Sequence, residues 1–252
     1  MRSQQREWEA LAAVDPLWAI LSDPERRGRR WDVDAFFETG QADADRALAR
    51  AAQLGRPARR VRALDFGCGV GRVTRALAHR FGEALGVDVS ERMVEQARRL
   101  NAETPNASFL VNAAPDLGQL EDASFDLVYS RIVLQHLPSR THVFRYLEEF
   151  LRVVRPDGIV VFQLPGAVPF RHRLHLRRKA WTALRAIGVG ALRLHRLGLS
   201  PIRVIGVPQD EIVRYITRSG GSIEWVEPDD AVTGLTSFQY YVVPANSPIL
   251  AA

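Results

Sequence analysis

Cysteine is almost missing from the chain. Cys68 is the only one in 252 residues, so no disulfide can close within the chain and no cysteine cage can hold a metal. Lysine is almost missing too: Lys179 stands alone among 34 basic residues. That bias fits a coding sequence rich in G and C better than a chemical demand for guanidinium. No apolar run reaches the ~18 residues that a membrane-spanning helix needs. The polar, amphipathic first residues do not read as a signal peptide, so a cytoplasmic location is the default expectation. Charge of one sign is also absent over one stretch. Between Gly158 and Gln209 there is no Asp or Glu, against eight Arg and one Lys. The formal +5 of the chain is therefore +9 in that stretch and 25 minus 29, or −4, elsewhere. A mildly acidic body with one basic segment is not a uniformly basic nucleic-acid binder.

What remains is an ordinary globular composition, 46% hydrophobic and 25% charged, which excludes collagen-like, disordered and disulfide-scaffold classes. Residues 5–55 read as helices with polar breaks. Asp15-Pro16 and Ser22-Asp23-Pro24 mark helix starts or stops, and Asp32 or Asp34 can cap a helix through Phe36 and Phe37. From Val61 the pattern changes. Short apolar runs at 61–66, 84–88, 108–112, 126–130 and 159–164 alternate with helical runs at 71–80, 90–101 and 141–154. That rhythm predicts parallel βαβ units in a doubly wound α/β fold. A helix to Arg218 and strands at 222–227 and 236–243 follow. No helix separates those two strands, so they are expected to pair antiparallel.

Residues 61–71 read Val-Arg-Ala-Leu-Asp-Phe-Gly-Cys-Gly-Val-Gly. A strand ends near Asp65, the turn carries Gly67, Gly69 and Gly71, and a helix opens at Arg72. Glycines let the backbone turn sharply and approach a ligand closely. The dinucleotide fingerprint puts its third glycine three positions after the second; here Arg72 occupies that place, and Gly71 comes one residue early. Asp65, just before the glycines, would repel phosphate and attract a cation. Asp88 ends the second strand, 17 residues after Gly71, where an acid can accept both hydroxyls of a ribose. The alternative role of helix N-cap is already filled by Ser90, with Glu91 in the first turn. The ligand these features describe is a nucleoside bearing a positive group.

On these residues the chain resembles the class I S-adenosylmethionine-dependent methyltransferases. Leu64 to Gly71 is similar to their first motif and Gly86-Val87-Asp88-Val89-Ser90 to their second-strand acid. Ser124 to Ser130, Leu134-Gln135-His136-Leu137-Pro138 and Arg155-Pro156-Asp157-Gly158 match their fourth strand, the segment after it and the turn before the fifth. The match covers roughly residues 60 to 165. The resemblance implies a Rossmann-like, seven-stranded, mostly parallel sheet with an antiparallel last strand, and S-adenosylmethionine as cofactor. It further implies that Asp65 and the turn of Gly67, Cys68, Gly69 and Gly71 hold the methionine moiety, while Asp88 and the adjoining Val89 meet the ribose. Met93 would lie against adenine, though its helical spacing equally suits a core residue. Arg131, Gln135 and His136 would line the pocket mouth. One departure stands out: where the family often carries an adenine-binding Asp, this chain has Asn112-Ala113. The Asn112 side chain or backbone groups would then take over.

The expected organisation is one methyltransferase domain. It comprises an N-terminal helical cap (1–58), a cofactor-binding core (59–164), a basic helical insert or lid (165–205), and a C-terminal helix with two strands (206–252). Methyl transfer from a sulfonium is an in-line displacement in which the protein chiefly aligns the nucleophile. His136 is the candidate base, with structural packing or cofactor contact as its alternatives. The fourth strand lacks the Asn/Asp-Pro-Pro-aromatic element of amino-methylating nucleic-acid enzymes. No metal set is convincing: His172 and His175 could share a helical face, but Arg171, Arg173 and Arg177 flank them. The insert has three readings. It is a solvated helical cover with Phe170, Leu174, Trp181, Leu184 and Ile187 turned inward, a lid whose arginines recognise an acidic acceptor, or an interfacial helix on anionic lipid. Gly188 and Gly190 break the helix and weigh against the last. The expected activity is methyl transfer to oxygen or nitrogen of a small-molecule acceptor, acidic acceptors included. Its rivals are an RNA or protein methyltransferase docking through the insert, and a non-catalytic cofactor-binding regulator.

Overall fold

The computed structural model describes residues 2–169, 176–229 and 235–245. The chain opens with helices α1 (Arg2–Val14) and α2 (Pro16–Ile20), a 3-10 turn at Pro24–Arg26, and the long α3 (Val33–Gln53). Three aspartates start these elements. Asp15, Asp23 and Asp32 accept from the backbone N–H of Trp18, Glu25 and Ala35 respectively, each satisfying a donor that the first turn leaves free. Asp15 also accepts from Gly28 N and Arg29 N at 2.7 and 2.9 Å, pinning the chain that follows α2.

The alternating region follows as β1 (Arg62–Phe66), α4 (Arg72–Ala78), β2 (Glu83–Asp88), α5 (Glu91–Leu100), β3 (Ala107–Val111), β4 (Phe125–Ser130), α6 (Arg140–Val153) and β5 (Val154–Ala167). After it come α7 (Leu176–Ala186), α8 (Ala191–Arg196), α9 (Gln209–Arg218), β6 (Gly221–Asp229) and β7 (Thr236–Pro244). The seven strands lie in the order β3-β2-β1-β4-β5-β7-β6. β1 to β5 pair parallel, and β7 pairs antiparallel with both β5 and β6. The expected Rossmann-like methyltransferase sheet is therefore present, with β7 inserted between β5 and β6.

Every residue of β4 is buried, because helices cover both faces. On one face Leu64, Val128 and Phe162 pack with Tyr146, Leu147 and Phe150 of α6 and Ile212 of α9. On the other, Ala63, Leu127, Tyr129 and Val161 pack with α3 and α4. Asp126, at 1% exposure, accepts from the N–H groups of Val61 and Arg62 at 2.8 Å each, fixing where β1 begins. The order reverses at β1/β4, so the carboxyl ends of these strands open a crevice at the switch point.

α1 and α2 lie over that crevice, and the insert leans on them. Trp18 meets His195 of α8 edge-on at 4.8 Å, Arg27 donates to the His195 carbonyl, and Glu7 of α1 pairs with Arg178 of α7. Trp181 is buried as expected, but Ile187 is 76% exposed rather than turned inward. Gly188 takes φ +88° directly after it, which ends the helix before its inward face can continue. Phe170, Leu174, His172, His175, Arg171 and Arg173 lie outside the described residues. Among the described residues, no helix is long and apolar enough to cross a membrane.

Candidate functional site: a cofactor crevice at the strand ends

A cleft at the switch point is lined from every neighbouring element: Gln4 and Trp8 of α1, Ala19 and Ile20 of α2, Phe66 of β1 with Gly67, Gly69 and Arg72 after it, and Val87 and Asp88 of β2 with Val89 and Met93 after it. Asn112 after β3, Arg131 to Val133, His136 and Leu137 after β4, and Tyr146 of α6 complete it. Asp88, Val89, Met93, Asn112, Arg131, His136, Gly67 and Gly69 are thus brought together. Asp65, Cys68, Gly71, Ala113 and Gln135 are not among its lining residues.

The glycine turn spends its donors internally. Gly67 N and Cys68 N both donate to Val87 O, at 2.7 and 3.1 Å, and Gly69 N donates to Asp88 Oδ2 at 2.9 Å. A phosphate-binding loop aims such N–H groups at the ligand; here three of them are taken. Gly67 has φ +78°, and a Cβ there would meet Val133 at 2.3 Å, so the cleft wall closes only over glycine. The shape excludes side chains, and three of the turn's N–H groups are taken from any phosphate.

Asp88 is the acid that faces the cleft. Its Oδ1 accepts from Ser90 N and its Oδ2 from Gly69 N, both at 2.9 Å. The Val89 N–H also donates to the carboxylate, and the lone pairs that remain are left for hydroxyl donors. Burial raises its pKa, opposed by the hydrogen bonds from Ser90 and Gly69. Ser90 caps α5, accepting from Met93 N. Met93 itself is 1% exposed and serves the core and the cleft wall together.

Asp65 sits behind the turn. It accepts from Thr74 Oγ1 at 2.7 Å, and burial pushes its pKa to about 6 against that bond and the charge of Arg72. The Cys68 side chain packs with Val94, Ala97 and Phe109, where burial drives its thiol pKa well up. Asn112 uses its side chain on its own loop, donating to Asp116 O at 2.7 Å and accepting from Ala114 N at 3.1 Å.

Two arginines of the cleft belong to a buried network that local sequence patterns do not display. Arg72 Nη1 is 2.7 Å from Asp43 Oδ2, Arg131 also pairs with Asp43, and Arg131 Nη2 is 3.0 Å from Asp229. One carboxylate of α3 thereby ties α4, β4 and, through Arg131, β6. The Nε atoms of Arg72 and Arg131 are buried without a hydrogen-bond partner.

After β4 the chain takes a strained path. Ile132 has φ +59°, a region that costs a β-branched residue on the order of 1–3 kcal/mol. Its N–H donates to Gln163 Oε1 at 2.9 Å, and Gln163 Nε2 donates to Gln135 Oε1 at 3.1 Å and to Ser237 Oγ. Gln163 was available as a signal: it is the polar residue inside the apolar 159–164 run. Gln163→Leu would strand the Ile132 amide, so urea unfolding is expected to show a loss of about 1–3 kcal/mol.

His136 closes the mouth. Its Nδ1 lies 2.5 Å from Arg203 O, which can only accept, so Nδ1 carries the proton and Nε2 the lone pair. Nε2 is 3.3 Å from Gln135 Nε2, and Trp8 packs edge-on at 5.6 Å. Burial lowers the His136 pKa to about 4, against the raising influence of the Arg203 carbonyl. The folded state therefore holds its proton less readily than the unfolded chain. Stability from this group is complete above about pH 6.5 and is lost as pH falls toward about 4, by on the order of 3 kcal/mol. The difference in unfolding free energy between wild type and His136→Gln, measured from pH 7 to pH 4.5, should change along that slope.

Residues 64–162 match the family model described as a methyltransferase domain. From β1 to β5 the chain is thus similar to methyltransferase domains. It is 37% identical over 99 residues to 2-methyl-6-phytyl-1,4-hydroquinone methyltransferase of Synechocystis, across 39% of this chain and 30% of the relative. To trans-aconitate 2-methyltransferase of Deinococcus radiodurans it is 36% identical over 141 residues, 54% of this chain and 50% of the relative. The chain thus spans half or less of these relatives' lengths. Among solved structures, magnesium protoporphyrin IX methyltransferase from Synechocystis, with S-adenosylhomocysteine bound, superposes with a TM-score of 0.63 at 20% identity. That likeness covers 96% of this chain and 98% of the neighbour, and extends the methyltransferase fold beyond residues 64–162.

Proposed function

We propose that this methyltransferase domain binds S-adenosylmethionine in the cleft and transfers its methyl group to oxygen or nitrogen of a small-molecule acceptor. The observation that carries the reading is the Asp88 carboxylate, which lines the cleft at the end of β2 and is held there by backbone N–H groups of Gly69 and Ser90. The residues fit the group in a second way. Arg72 and Arg131 line the cleft and each has a buried Nε without a hydrogen-bond partner, so a carboxylate such as that of methionine would find guanidinium groups close by. When bound, S-adenosylmethionine supplies a methyl group already activated on a positively charged sulfur.

The chain's own residues then do four things. Asp88 accepts the ribose hydroxyls. Val89 and Met93 form an apolar wall for adenine, and Asn112, its side chain committed to the loop, offers the amino group only its remaining acceptor position. Asp65 sets a negative charge behind the glycine turn; a cationic ammonium nearby would draw its pKa down from about 6. Trp8, Ile20, Ile132 and Val133 exclude water, and alignment in such a site supplies roughly 7–11 kcal/mol of the barrier.

His136 is a weak base with its pKa near 4, and its Nε2 lone pair already faces Gln135 Nε2 at 3.3 Å; an acceptor hydroxyl or amine would take the place of that amide to be oriented there. The cleft does not favour an acidic acceptor. Arg72 and Arg131 have Asp43 and Asp229 as partners, which leaves no surplus positive charge for an acidic acceptor beside the cofactor's own carboxylate, and among the described residues none of the insert lines the cleft. A neutral, largely apolar acceptor suits the Trp8, Ile132, Val133 and Leu137 walls better. Incubating the protein with methyl-labelled cofactor and a cell metabolite extract, then following the label by mass spectrometry, tests the assignment. Label in a neutral small molecule supports it; label confined to RNA or protein removes it.

A further inference from the structure

The basic insert leaves an unusual surface. Of the eight large apolar side chains that stand exposed among the described residues, four, Leu176, Ile187, Leu192 and Leu197, belong to α7, α8 and their flanks, at 64%, 76%, 50% and 65% exposure, and they are the four most exposed. The same stretch, 176–205, carries seven Arg and Lys residues and no acid. We propose that the α7–α8 hairpin is a docking surface for an anionic lipid bilayer.

Helical geometry supports the assignment. Leu176 and Ile187 are eleven residues apart, which returns to within about 20° of the same direction at 100° per residue. Ala183 is exposed along that line, while the buried Trp181 points away from it toward the body. Arg177 and Lys179, both exposed, stand on either side of the stripe. The hairpin turn at Gly188 and Gly190 exposes Ile187 at its tip, and α8 adds Leu192 with exposed Arg193 and Arg196.

A solvated cover would not place four large apolar groups outward. An RNA surface would use the cations and leave those groups without a partner. A bilayer interface satisfies both, taking the apolar groups below its headgroups and the cations against its negative charge. The glycine break does not oppose this, because it shapes the tip of a wedge instead of interrupting one continuous interfacial helix. The hairpin is also joined to the cleft: Arg203, which closes the insert, holds His136 through its carbonyl.

Vesicle co-sedimentation of the full chain tests the proposal. Phosphatidylcholine vesicles containing about a third phosphatidylglycerol should bind the protein, and pure phosphatidylcholine should not. Raising salt from about 0.1 M to about 0.5 M should weaken binding. The variant Ile187→Glu/Leu192→Glu should lower affinity about tenfold or more with an unchanged circular dichroism spectrum. Should that variant misfold, Ile187→Ser/Leu197→Ser serves the same comparison. Absence of binding to anionic vesicles at low salt overturns the proposal. So does vesicle binding indifferent to the apolar substitutions, or a tighter, salt-steep binding of a short RNA that those substitutions leave intact.

Discussion

Asp88→Ala is expected to weaken S-adenosylhomocysteine binding by a hundredfold or more in titration calorimetry. Two charge-assisted hydrogen bonds of about 1.5–3 kcal/mol each predict a loss of about 3–6 kcal/mol, and a factor of ten in affinity needs only about 1.4 kcal/mol. The substitution also frees Gly69 N and Ser90 N, loosening the glycine turn that Asp88 clamps. Asp88→Asn separates the two contributions. It keeps one acceptor oxygen and trades the other for a donor, so it should fall between wild type and Asp88→Ala. Affinity within threefold of wild type for Asp88→Ala would remove the ribose assignment.

Asp43→Ala is expected to be the most destabilising single change outside the apolar core. Asp43 is 13% exposed and holds both Arg72 and Arg131, whose side chains are 4% and 6% exposed. Removing one partner from a buried ion network leaves charge without compensation and costs about 3–5 kcal/mol. At about 2–4 °C per kcal/mol for a chain of this size, the melting temperature should drop by roughly 10 °C. Arg131 retains Asp229, so the greater disorder is expected at Arg72 and the start of α4. Cofactor affinity should fall with it, because Arg72 borders the cleft. Asp43→Asn keeps the packing and an acceptor and should lose less. A calorimetric shift below about 3 °C for Asp43→Ala would show that the network contributes little.

The parts of the site that were legible in sequence are those set by neighbouring residues. Gly67, Gly69 and Gly71 are required by a turn, Asp88 by the end of a strand, and Ser90 by the helix it caps. These features lie within about two dozen residues and carry the first two strands with them. The Asp43–Arg131–Asp229 network could not be read this way. Its members come from α3, β4 and β6, and each looks like one more surface charge until the sheet brings them together. The placement of β7 between β5 and β6 was hidden for the same reason: antiparallel pairing follows from the short connection, but the strand order depends on contacts far along the chain. Ile187 went the other way. Helical periodicity turned it inward, but the backbone leaves the helix at Gly188. The charge of Asp65 and its place in the first motif suggest a ligand contact, and neither shows that Thr74, nine residues on, donates to its Oδ2.

The central claim is that the glycine turn holds a cationic nucleoside and not a dinucleotide. Titration calorimetry of the full chain with S-adenosylhomocysteine and, separately, with NADH tests it most directly. The account predicts binding of S-adenosylhomocysteine on the order of micromolar and no measurable heat from NADH, because Gly67 N, Cys68 N and Gly69 N are already taken by Val87 and Asp88. Tighter binding of NADH than of S-adenosylhomocysteine would contradict it.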